Sequence, residues 1–283
     1  MNMKRRVVSY LLSILLTVFL VSTVILATAN FTILNTKNVR KKVVSTNFYV
    51  ETQNIIIDAC KNYVMQSGFD ESIMDGVINT SDVEHDVNGL LDYLYEGREY
   101  ELHASSVKES LDNNIKKYIE QNNYEVNEEN QNSINEFENS VENIYRRNIE
   151  YSADEVKQIA KVVQKVKKIV PIAMMICLVA TIILGFIIYK VSKPSVGVGL
   201  LAAGAILVFF KVSSRASFAI NNILLMNKAF SNTLIAIANN MVLVLFVVGI
   251  LLCVVGVIWI IVMELRRKIV KMLLLEEHSQ VIR

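Results

Sequence analysis

Four uncharged apolar blocks, at residues 7–29, 169–189, 196–210 and 241–263, decide most of what this chain can fold into. The hydrocarbon core of a bilayer is about 30 Å thick, so a helix rising about 1.5 Å per residue needs about 20 apolar residues to cross it. The first, second and fourth blocks meet that requirement outright. The third offers 15 residues before Lys211, so it must recruit its flanks, thin the bilayer or enter without crossing. It is expected to cross, because four crossings return both termini to one side and the basic residues agree with that arrangement. With 53% hydrophobic and 20% charged residues, the chain is more apolar and less charged than soluble globular proteins.

Lys4, Arg5 and Arg6 precede the first block, Lys190 and Lys193 lie between the second and third, and Arg266, Arg267, Lys268 and Lys271 follow the fourth. Short flanks rich in Lys and Arg stay in the cytoplasm. Both termini are therefore expected there, with residues 30–168 outside. The expected organisation is a leader and first span at 1–29, an extracytoplasmic domain at 30–168, and a three-helix membrane region at 169–263 carrying an outer loop at 211–240. A basic cytoplasmic tail at 264–283 completes it. Ala27-Thr28-Ala29 also fits a signal-peptidase site, and cleavage there leaves three spans. Against cleavage, the apolar stretch is longer than the roughly 7 to 15 residues of a signal peptide.

The segment 30–168 contains no proline and carries 24 Asp and Glu against 16 Lys and Arg, a net charge of −8. Its apolar residues recur at helical spacing: Val43, Val50, Ile57 and Val64; Val83, Val87, Leu90 and Leu94; Leu111, Ile115 and Tyr118; Ile134, Phe137, Val141 and Ile144. The run Val156, Ile159, Val163, Val166 and Val170 continues into the second span, predicting one helix over 152–189, bent where Pro171 lacks an amide proton. Ser81–Glu84, Ser106–Glu109 and Ser152–Glu155 match the capping box, Gly68 and Gly97 read as helix stops, and the Asn-rich stretch 121–133 reads as an exposed connection. The fold class is all-α: four transmembrane helices, with a large helical extracytoplasmic domain between the first and second.

No catalytic motif is present: no nucleophile elbow, no phosphate-cradling loop, no paired Cys and His. His85 and His103 stand 18 residues apart without metal-ligand spacing, and Glu84-His85-Asp86 reads as a solvated helix surface. No enzyme, cofactor, metal or nucleic-acid partner is expected. The three cysteines, Cys60, Cys177 and Cys253, imply no disulfide framework; Cys60 is expected as a buried small side chain, with a covalent dimer as the alternative. None of the four blocks contains Asp, Glu, Lys, Arg or His, which disfavours proton relays and active transport. Helix packing in the membrane is assigned to small residues: Ser9, Ser13 and Thr17; Gly199 and Ala203; Gly249, Cys253 and Gly256. Pro171 is a candidate hinge, and Arg266, Arg267, Lys268 and Lys271 are candidate contacts for anionic lipid or a partner.

The basic leader, the outer segment around Gly89-Leu90-Leu91-Asp92-Tyr93-Leu94-Tyr95-Glu96-Gly97 and the three later spans resemble uncharacterised multi-pass membrane proteins of low-GC Gram-positive bacteria. That resemblance implies a cell-membrane location and brings no known activity. The expected function is a binding, scaffolding or sensing module displayed outside, meeting membrane lipids and either a protein partner or a second copy. A pore-forming oligomer with an uncharged path is the alternative.

Overall fold

The structure, a computed structural model, describes residues 3–150, 153–216 and 228–281. Among these every regular element is a helix: α1 (Met3–Thr32), α2 (Thr36–Ser45), α3 (Phe48–Ser67), a 3-10 turn (Glu71–Met74), α4 (Thr80–Glu96), α5 (Ala104–Asn122), α6 (Glu128–Ile149), α7 (Ala153–Val191), α8 (Lys193–Ala216) and α9 (Lys228–Val281). Two units are separable. One holds α1, α7 from Lys168, α8 and α9 from Ile237; the other holds α2 to α6, the start of α7 and the first turns of α9.

Four helices, α1, α7, α8 and α9, are long and apolar enough to cross a membrane. The short third block is resolved by its flanks. Its apolar helix spans Lys193–Ser213, 21 residues, or about 31 Å at the α-helical rise. Pro194 falls in the first turn, where a missing amide proton breaks no bond. At its other end Lys211 lays its ammonium 4.1 Å from the centre of the Phe246 ring, so the charge does not shorten the helix. Large apolar side chains such as Ile172, Phe186 and Phe209 are exposed along these helices, as they are where lipid replaces protein as the neighbour.

In the other unit, α3 to α6 surround a core of Ile56, Cys60, Val64, Val83, Val107, Leu111, Val141 and Tyr145. The expected heptad 43/50/57/64 does not survive. Asn47 sits in the left-handed region at φ 53 and separates α2 from α3, so the helical phase restarts there. Val50 is exposed, and the buried stripe runs through Tyr49, Thr52, Ile56, Cys60 and Val64. Gly68 and Gly97 do end helices, at φ 81 and φ 74.

Two of the proposed capping boxes are overturned. Asn79 caps α4 in extended conformation and His103 precedes α5, so Ser81 and Ser106 lie inside the first turns, with Ser106 Oγ donating to the His103 carbonyl. Ser152 lies outside the described residues. Within 121–133 only 123–127 is non-helical, because Asn123 closes α5 at φ 53 and Asn127 accepts from the Asn130 amide to open α6. The loop foreseen at 211–240 is helical over 211–216 and 228–240, and 217–227 falls outside the described residues. At the start of α9, the Thr233 and Thr46 hydroxyls pair at 2.7 Å.

Candidate functional site

The strongest polar feature of the helical unit is built on Asp86. Its position explains its burial: Val83, Asp86 and Val87 share one stripe of α4, three and four residues apart, and all three are buried. A carboxylate in an apolar core is costly unless its oxygens are fully engaged, and here they are. One oxygen, Oδ2, accepts from the His103 backbone amide at 2.8 Å and from the Tyr145 hydroxyl at 2.8 Å. The other, Oδ1, lies 2.6 Å from His103 Nδ1 and 3.5 Å from His85 Nδ1. One side chain thereby ties α4, the start of α5 and α6 together.

The two imidazoles meet edge to face, with centroids 4.5 Å apart at 87°. Their side chains are 67% and 38% exposed for His85 and His103, against 0% for Asp86. The group is a buried floor with an open top. The hydrogen bond to Asp86 raises the pKa of His103; partial burial opposes this, while the charges of Asp86, Asp82 and Glu101 reinforce it. A raised folded value means that protonation of His103 favours the fold, in full below about pH 6.5. That contribution fades as pH climbs through the folded value. Burial, and then the bond to Asp86, pushes the Tyr145 hydroxyl far above its ordinary range, so it stays a donor.

Beside His85 lies an open groove of about 580 Å³, lined by Arg40, Val44, Tyr49, Ser81, Glu84, His85, Asn88, Gly89 and Asp92. Arg40 Nη2 donates to Asp92 Oδ1 at 2.5 Å and to the Asn88 carbonyl at 3.3 Å. The groove therefore presents both signs of charge on a hydrogen-bonded wall.

Two sequence expectations are corrected here. Glu84-His85-Asp86 is not a uniformly solvated surface, because Asp86 occupies the core stripe. His85 and His103, remote in sequence, converge on one carboxylate because the turn after Gly97 brings the start of α5 back beside α4. The step of three from Val83 to Asp86 was the available signal. Among the described residues, no Ser, Thr or Cys is hydrogen-bonded to either imidazole. Cys60 is fully buried and free, and burial alone pushes its thiol up to about 12.

The small residues singled out in the apolar helices lie at helix contacts. The Ser9 hydroxyl pairs with that of Ser195 at 2.5 Å, Ser13 donates to the Ser195 carbonyl at 2.9 Å, and Thr17 donates to the Gly199 carbonyl at 3.1 Å. A Cβ on Gly199 would stand 2.8 Å from Leu16, and Ala203 is fully buried. Between α8 and α9, Gly249 faces Leu207, Gly256 faces Leu201, and Cys253 Sγ points at the Leu201 carbonyl at 3.8 Å. Ser195, Gly197 and Gly204 belong to the same contacts and escaped the sequence reading. Pro171 lies inside α7 without ending it. Arg266, Arg267, Lys268 and Lys271 are exposed on α9, where Arg267 pairs with Glu264 at 3.5 Å.

Family models, curated proteins and solved structures offer no match to this chain.

Proposed function

We propose that this is a cell-membrane protein whose helical unit, α2 to α6, is displayed outside the cytoplasm as a binding or sensing module that meets a protein partner or a second copy. The observation that carries the reading is Asp86. A helical spacer has no use for a charge in its core, since apolar residues of similar volume are commonly as stable or more so. Here a buried carboxylate joins three helices directly beneath two accessible imidazoles and beside a charged groove. The placement outside rests on Lys4, Arg5, Arg6 and the basic residues after the fourth apolar block.

The test uses the exposed positions Glu109 and Lys271, with the parent chain as a labelling blank. In intact cells a membrane-impermeant maleimide is expected to label Glu109→Cys and to spare Lys271→Cys. A photo-crosslinker attached at Glu109→Cys is expected to capture a second polypeptide or a second copy. Labelling of Lys271→Cys alone, or a chain that crosslinks to nothing, overturns the proposal.

A further inference from the structure

We infer that His85, Asp86 and His103 form a binding site for one divalent transition-metal ion, with two imidazole nitrogens and one carboxylate oxygen as its protein ligands. One donor atom from each residue can be chosen so that all three lie within 4.8 Å of one another. This ligand set suits zinc, nickel or divalent copper; two imidazoles are poor partners for calcium or magnesium, which take oxygen.

The surroundings are those of a ligand set held from behind. Both donors to Oδ2, the His103 amide and the Tyr145 hydroxyl, fix the carboxylate plane so that Oδ1 is the atom turned toward the rings. Hydrogen bonds of this kind orient the carboxylates of metal sites. Both imidazoles keep solvent access, so an ion can enter and retain water in its remaining positions.

The distances decide what must change on binding. Bonds of about 2.0–2.1 Å in a tetrahedron place neighbouring ligand atoms about 3.3 Å apart. The His85 Nδ1 to Asp86 Oδ1 separation, 3.5 Å, already matches. The His103 Nδ1 to Asp86 Oδ1 separation, 2.6 Å, is a hydrogen bond and must open by roughly 0.7 Å. His103 is the N-cap of α5 and its carbonyl holds the Ser106 and Val107 amides, so the opening has to come from its side chain rather than from its backbone. The ion takes the place of the proton on the coordinating nitrogen, and that proton leaves to water. Asp82 and Glu101 add negative potential around His103. The inference rests on the geometry of this unit alone and is independent of the side of the membrane it faces.

The test titrates the full-length protein in mild detergent, freed of metal by chelation, with zinc chloride and separately with cobalt chloride. One zinc per chain is expected. Cobalt is expected to give visible d–d bands without the near-ultraviolet charge-transfer band that a thiolate ligand would add. His85→Gln and His103→Gln are each expected to weaken zinc binding by more than about a hundredfold, and Tyr145→Phe by about ten- to a hundredfold. His85 is two-thirds exposed, so His85→Gln keeps the fold, as far-UV circular dichroism will report, and is the decisive variant. Failure to take up zinc, affinity unchanged in His85→Gln, or a thiolate band overturns the inference. The sidedness and crosslinking results at Glu109 and Lys271 stand or fall separately.

Discussion

Replacing Tyr145 with phenylalanine isolates one bond in the Asp86 cluster. Tyr145 is fully buried, and its hydroxyl donates to Asp86 Oδ2 at 2.8 Å. The ring stays, so packing is nearly unchanged, and the space opened is smaller than a methyl group. A hydrogen bond to a charged acceptor contributes about 1.5–3 kcal/mol. With the His103 amide still on the same oxygen, the expected loss is about 2 kcal/mol, equivalent to roughly 30-fold in an unfolding equilibrium. Hydrogen exchange read by mass spectrometry on the full chain in mild detergent checks this locally. Amides around Val83 in α4 and Val141 in α6 should lose about 30-fold in protection where they exchange through unfolding of the unit. Tyr63→Phe is the control: its ring stacks on Phe137 with centroids 5.8 Å apart and remains 38% exposed, so its effect should stay within about 0.5 kcal/mol. A change below about threefold in Tyr145→Phe would refute the claim that the carboxylate joins these helices.

Glu138 offers a gain in stability. It is buried, one of its carboxylate oxygens has no hydrogen-bond partner, and burial followed by the nearby charge of Asp112 raises its pKa. Glu138→Gln removes the buried charge and supplies a donor toward Asp112, so the unit should gain about 1 kcal/mol, seen as slower exchange around Val141; faster exchange would sink this. In the apolar helices, a Cβ on Gly204 would stand 2.5 Å from the Gly249 carbonyl oxygen, whereas one on Gly185 meets nothing within 4 Å. Gly204→Ala should therefore lower the melting temperature in detergent, by the equivalent of about 1–3 kcal/mol, while Gly185→Ala is neutral or slightly stabilising. Equal behaviour of the two variants would mean that α8 and α9 do not approach at Gly204.

The features legible in the sequence are those set by local rules. Four apolar helices follow from the bilayer's thickness, and Gly68 and Gly97 end helices because the left-handed region costs glycine little. The misreadings share a cause, the assumption of helical phase or position across a break that side chains create. Asn47 resets the register between α2 and α3, which moves the buried stripe from Val50 and Ile57 to Thr52 and Ile56. Asn79 takes the cap assigned to Ser81. The third block, by contrast, recruits its flanks as expected, because a long amphipathic side chain can lie along a helix and keep its charge at the surface. Lys211 over Phe246 is such a case. The histidine pair was illegible for another reason. Its convergence depends on how α5 returns onto α4, a tertiary fact with no periodic trace, and only the carboxylate at a core position hinted that partners were needed.

The metal site and the stability of the bundle are linked through Asp86, and their magnitudes can be compared. An ion that binds only the folded unit adds about 2.7 kcal/mol at a concentration a hundred times its dissociation constant. That is close to the loss of about 2 kcal/mol expected for Tyr145→Phe. Zinc held at a hundredfold excess over the variant's own, weaker affinity should therefore restore the exchange protection of Tyr145→Phe to about that of the metal-free parent. His85→Gln separates the two roles of the cluster. It lacks an ion ligand but keeps every short bond to Asp86, so it should match the parent without zinc and gain nothing when zinc is added. If zinc protected Tyr145→Phe and the doubly substituted His85→Gln, Tyr145→Phe chain equally, the added stability would come from metal bound elsewhere, and the coupling through Asp86 would be wrong.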